Sequence, residues 1–122
     1  MPGSLSDSNP AMTPLEKGLV AHLVGDWVLQ NDWMARNKLS LRHPAAWTHG
    51  AIHVLLLGLA LGWPAGLVLG FVHVLVDTRV PVAWWMRWFK KCSQAPEVTT
   101  IAIWLDQTVH IVCLALWVAL AR

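Results

Sequence analysis

Four apolar stretches, separated by polar or Pro/Gly punctuation, organise the chain from position 13 onward. The first runs from about Thr13 to Met34, where Thr13 can cap a helix, Pro14 suits its first turn and Glu16 completes a capping-box pattern. A second helix is expected from about Pro44 to Gly62, greasiest between Leu55 and Leu61. Trp63-Pro64-Ala65-Gly66 reads as a tight hairpin, and a third helix follows to about Thr78. The fourth, from about Val98 to Leu120, is long enough at about 1.5 Å per residue to cross a hydrocarbon core of about 30 Å.

These elements predict an all-α, membrane-embedded bundle of about four transmembrane helices. A soluble helical bundle competes with that reading, because the first three stretches all carry ionisable groups. Residues 1–12 are polar and rich in Ser and Pro, without Lys or Arg, and read as a disordered tail ahead of a single transmembrane domain over 13–122. Composition supports the membrane: hydrophobic residues make up 56% and charged residues 13%, about half the charged share usual in soluble domains. Nine tryptophans accompany no tyrosine, and tryptophan favours the membrane–water interface. A formal charge of +2, thinly scattered, argues against a nucleic-acid partner. Cys92 and Cys113 fit no disulfide or zinc framework by spacing.

The basic residues set an orientation. Arg36, Lys38 and Arg42 follow the first helix, and Arg79, Arg87, Lys90 and Lys91 follow the third, against Lys17 and Arg122 on the other side. Seven against two places both long connections in the cytoplasm and both termini outside, in a multi-pass protein of the inner membrane. Trp84, Trp85, Trp88 and Phe89 beside Arg87, Lys90 and Lys91 suit a short interfacial segment between the third and fourth helices. Gly58, Gly62, Gly66 and Gly70 recur every four residues, as close packing of helices two and three requires.

The apolar stretches carry an unusual polar set. Helix one holds His22 and Asp26, helix two His49 and His53, helix three His73 and Asp77, and helix four Asp106 and His110. Every pair is spaced i, i+4 and so shares a helix face. Antiparallel packing brings the four pairs to overlapping heights, between the midplane and the inner leaflet. An ionised Asp at the bilayer centre costs at least about 2.5 kcal/mol, so three of them need an offset. Pairing with protonated histidine offers one. A divalent cation, ligated by neutral imidazole and carboxylate, offers another, and this donor set suits zinc, manganese or iron. The eight residues exceed the needs of one tetrahedral ion, so either two ions bind or some members orient ligands and move protons. Gln30, one turn beyond Asp26, can orient it. Gln107, by helical spacing, points about 100° away from Asp106 and ranks low.

The run from His22 through Gly25-Asp26-Trp27 to Gln30, and on to Lys38, resembles the signature of an uncharacterised family of small integral membrane proteins of bacteria and their phages. Its His-x-x-Gly-Asp-aromatic-x-x-Gln stretch is followed in that family by a histidine pair, a His-x-x-x-Asp and an Asp-Gln-x-x-His. These match His49 with His53, His73 with Asp77, and Asp106-Gln107 with His110. The resemblance covers nearly everything from about Leu15 and implies a multi-helix membrane fold without an established activity. A weaker likeness, in style, is to membrane-embedded metal-dependent hydrolases that resemble zinc-dependent phospholipases C.

The first functional expectation is a metal-dependent hydrolase acting on a lipid-linked substrate, a phospholipid or polyprenyl phosphate. Asp26 and Asp106 are its catalytic candidates, and Arg36, Lys38, Arg87 and Lys90 would draw the headgroup. A metal-ion or proton transporter is the second, and four short helices would then need a homo-oligomer. A non-catalytic assembly protein, such as a phage lysis or exclusion factor, is the third.

Overall fold

The computed structural model describes residues 11–92 and 97–121, and among these it contains helices and turns without a strand. Helix α1 spans Pro14–Leu23, opened by the Thr13 hydroxyl, which accepts from the Glu16 amide at 3.2 Å, with Pro14 in the first turn. The expected run to Met34 does not stay one helix. It widens into a π turn over Val24–Val28, closed by the Leu29 amide on the Val24 carbonyl at 2.9 Å, and then breaks. Asn31 causes the restart: its side chain accepts from the Met34 amide at 2.9 Å and caps the short α2, Asp32–Asn37.

Helix α3 (Pro44–Leu61) and helix α4 (Trp63–Asp77) form an antiparallel hairpin whose only non-helical residue is Gly62, at φ +99°. The reversal is thus tighter than a four-residue hairpin, and it needs glycine because a side chain is strained at that φ. Close packing follows where the small residues lie. A Cβ on Gly66 would stand 2.6 Å from the Val54 carbonyl oxygen and 2.7 Å from the Gly58 Cα. After Arg79, at φ +60°, helix α5 (Val80–Trp85) and a second π turn (Met86–Lys90) run on at 53° to α4. Trp84, Trp85, Trp88 and Phe89 of this segment are exposed, while Val82 and Met86 are buried. Helix α6 covers Val98–Leu120.

Packing closes a ring in which α1 and α4 each touch both α3 and α6. Among the described residues two helices, α3 and α6, are long and apolar enough to cross a membrane, and α4 with α5 makes a third if the bent pair counts as one span. The first of the four expected spans therefore fails as a continuous one. Its unbroken helical run, Pro14–Val28, reaches only about 22 Å at 1.5 Å per residue. The segment still traverses the bundle: Thr13 borders one groove with Leu61 and Ala121, whereas Lys38 at the other end meets Asp77. Of the tail expected over 1–12, residues 1–10 lie outside the described residues.

The exterior is that of a protein immersed in lipid. Trp27, Val28, Leu59, Leu67, Trp104 and Leu116 all lie more than half exposed. The interior, by contrast, is layered. Ala21, Leu57, Ala65, Leu69 and Leu114 form an apolar cluster toward the Thr13 end. The layer beyond it is polar. In water this arrangement would be inside out, and in a bilayer it is the expected one.

Candidate metal centre in the bundle core

All eight histidines and aspartates of the i, i+4 pairs are buried, none more than 6% exposed. The four helical passes aim them at one volume. Asp26 arrives on the π turn, a widening often found where a helix serves a functional site. Gly25 beside it allows the approach to α3, since a Cβ there would stand 2.6 Å from the His53 ring.

Asp26 is the hub. Its Oδ1 lies 3.0 Å from His49 Nε2, 3.0 Å from His53 Nε2 and 3.3 Å from His73 Nε2. The Nε2 atoms of His49 and His73 are themselves 3.0 Å apart. Asp77 reaches both sides of the layer: its Oδ2 lies 3.0 Å from His73 Nε2 and 3.3 Å from His49 Nε2, and its Oδ1 3.1 Å from His110 Nε2. Asp77 Oδ2 nevertheless makes no hydrogen bond among the described residues, so its nearness to two rings is one of position without alignment. Asp106 Oδ2 is 3.6 Å from His110 Nε2, and Asp106 Oδ1 has no hydrogen-bond partner among the described residues. The rings stack on one another, His53 on His73 at 3.5 Å and His73 on His110 at 4.0 Å between centroids.

Among the described residues three groups of side chains bring donor atoms within 4.8 Å of one another: Asp26 with His49, His53 and His73; His22 with His73 and His110; and Asp77 with Asp106 and His110. The first group is the best cage. Bonds of about 2.0–2.1 Å place neighbouring donors about 3.0 Å apart in an octahedron and about 3.4 Å apart in a tetrahedron. Four of the six donor separations in this group, 3.0, 3.0, 3.3 and 3.0 Å, agree with those values, and the rest lie within 4.8 Å. Hydrogen bonding alone serves the same contacts poorly, because two imidazole nitrogens and a carboxylate oxygen in mutual contact share too few protons. The residues could therefore hold a metal ion. One customary support is missing: the Nδ1 atoms of His49 and His53 are buried without a hydrogen bond among the described residues.

Other expected residues divide. Lys38, expected at the headgroup level, is buried and turns inward, its Nζ 3.6 Å from Asp77 Oδ1. Arg36 stays outside, paired with exposed Asp32 at 2.9 Å, and Arg87 and Lys90 are exposed on the second π turn. Gln107 corrects its low ranking. Its side-chain oxygen contacts His22 Nε2 at 2.9 Å and its amide donates to Asp26 Oδ2 at 3.0 Å, because α6 turns the flank beyond Asp106 toward α1. Gln30 does not bond Asp26, and its Oε1 is buried without a partner among the described residues. Arg79 was read as loop charge alone. Together with Asp26, Trp27, Gln30, Ala35, Lys38, Ile103, Asp106 and Gln107 it lines a pocket of about 180 Å³ that reaches the polar layer.

The model of a family described as Protein of unknown function (DUF3307) matches residues 15–121. The chain belongs to that family. No curated protein and no solved structure matches it. The match spans all four polar pairs, so the buried cluster lies wholly within the family's domain.

Proposed function

We propose that this family member is an intramembrane metal-dependent hydrolase whose ion is held by Asp26, His49, His53 and His73. The observation that carries the reading is the meeting of Asp26 Oδ1 with three imidazole Nε2 atoms at 3.0–3.3 Å in a buried layer. A divalent ion in that cage supplies Lewis acidity, polarising a substrate oxygen and making water a usable nucleophile near neutral pH. The chain's own groups supply the rest. Gln107 fixes the free oxygen of Asp26 and the ring of His22. Asp106 faces the pocket with one oxygen unpartnered among the described residues, and takes the role of general base, with His110 beside it to pass the proton on.

Access favours turnover over conduction. The pocket opens on the Lys38–Arg79 end, while the apolar cluster of Leu57, Leu69 and Leu114 lies across the path toward the Thr13 end. What remains there beside His22, His73 and His110 is a cavity of about 20 Å³, the size of one water. A substrate borne by the bilayer fits such a one-sided entrance. We place that end at the cytoplasmic leaflet of the inner membrane, on the strength of the basic residues gathered there, with both termini outside.

The test is elemental analysis of detergent-purified protein, followed by incubation with a membrane lipid extract with and without chelator. Near-stoichiometric zinc, manganese or iron is expected, with chelator-sensitive release of a lipid product. Asp106→Asn should keep the metal and lose the release. Folded protein that takes up no metal overturns the reading.

A further inference from the structure

We propose that the Lys38–Arg79 pocket is a phosphate subsite, binding a phosphate ester oxyanion next to the metal cage. The inference rests on the metal reading, for a reason of charge. Asp26 and Asp106 both border the pocket, and two carboxylates repel an anion unless a cation beside them offsets their charge.

Four observations converge on this chemistry. First, the pocket joins two cations from different connections, Lys38 after α2 and Arg79 at the α4–α5 bend. Second, the Arg79 Nε is buried with no hydrogen-bond partner among the described residues, and a buried charged N–H in that condition calls for an oxygen acceptor. Third, Lys38 is 8% exposed, and at 3.6 Å its contact with Asp77 Oδ1 is too long to satisfy the ammonium, leaving donors free to turn to a second acceptor. Fourth, Gln30 Oε1, also buried and unpartnered among the described residues, provides an acceptor for a hydroxyl next to the phosphate.

Size agrees. The volume of about 180 Å³ is about nine times that of the one-water cavity beside His22, enough for a tetrahedral group of five heavy atoms with part of its ester. Two walls, Trp27 and Ile103, are apolar, and Trp27 faces outward from the bundle. A phosphate carried on a lipid can therefore enter sideways from the bilayer. A free phosphate can enter from the aqueous end. Arg79 is held at φ +60°, a left-handed conformation that non-glycine residues seldom adopt, and the pocket gives a reason to keep an arginine there.

The experiment titrates the metal-loaded protein in detergent with inorganic phosphate and with dihexanoyl phosphatidic acid by calorimetry, with metal content measured on each sample. Binding of at least one ligand is expected. Equal affinity for the two points to free phosphate, and at least tenfold tighter binding of the phosphatidic acid points to a lipid headgroup. Arg79→Gln should weaken binding at least tenfold with metal content unchanged, while substitution of exposed Arg42, Arg42→Gln, leaves it alone. Should Arg79→Gln fail to fold, Arg79→Lys keeps the charge but not the guanidinium fork, and a loss of several-fold is expected. Metal-loaded protein that binds neither ligand overturns the subsite alone, as does an Arg79 variant that binds as tightly as wild type. Protein without metal overturns the hydrolase reading and the subsite with it.

Discussion

His49 Nε2 and His73 Nε2 face each other at 3.0 Å, each also within 3.3 Å of carboxylate oxygens from both Asp26 and Asp77. Two imidazole lone pairs repel at that distance unless a proton or a cation lies between them. Metal binding should therefore stabilise the fold strongly. At a free concentration about 100 times Kd the gain is about 2.7 kcal/mol, and chelator should remove it. Thermal unfolding followed by tryptophan fluorescence reads this directly. His73→Ala should abolish the metal-dependent shift, and affinity should fall as pH drops through the imidazole range, because protons compete for the same lone pairs. A melting temperature indifferent to metal would count against the cage.

Among the described residues, Gln107 is the one uncharged side chain that ties two members of the cluster, His22 and Asp26, across helices. Replacing it by Leu removes the donor to Asp26 Oδ2 and leaves that buried oxygen the longer 3.3 Å contact with His22 Nε2, at a cost of about 1–3 kcal/mol. Loss of an orienting partner of this kind lowers metal affinity by about 10–100-fold. Competition with a chromogenic chelator measures the change. An unaltered affinity would reduce Gln107 to packing.

What could be read from the residues alone divides along physical lines. The i, i+4 pairs were legible because helical periodicity fixes which face a residue occupies, and the bilayer's penalty on charge says that such faces must meet. The restart at Asn31 was not, because a capping residue and a run of helix formers compete locally, and here the cap prevailed. Gln107 was misjudged for a related reason. An angle about one helix axis does not say where the neighbouring helix stands, and a long amide reaches across that gap. Arg79 and Lys38 could be placed at an interface by charge, but their turn inward depends on the bend between α4 and α5 and on the start of α2.

Gly25 offers a steric test independent of charge. A methyl group there would stand 2.6 Å from two atoms of the His53 ring, closer than packed atoms come. Gly25→Ala should thus push the π turn off α3 and carry Asp26 with it. The expected result is folded protein with helical circular dichroism retained and metal content reduced at least tenfold. Full metal occupancy in Gly25→Ala would mean that Asp26 is dispensable to the cage.

Orientation can be decided by labelling. Thr13, Leu61 and Ala121 border one groove, and Leu15, Leu19, Trp117 and Val118 pack around the apolar cluster beneath it, so the starts of α1 and α4 and the end of α6 share one face of the bundle. Lys38 and Arg79 mark the opposite face through a common pocket. The basic residues concentrate on that second face, and basic connections are retained on the cytoplasmic side. In a variant with Cys92 and Cys113 replaced by Ser, a cysteine at Pro64 should react with an impermeant maleimide in cells whose inner membrane is intact. A cysteine at exposed Ser40 should react only after permeabilisation. The reverse pattern would put the pocket mouth outside the cell, and a phosphate reaching Arg79 would then have to come from the outer leaflet or from the external solution.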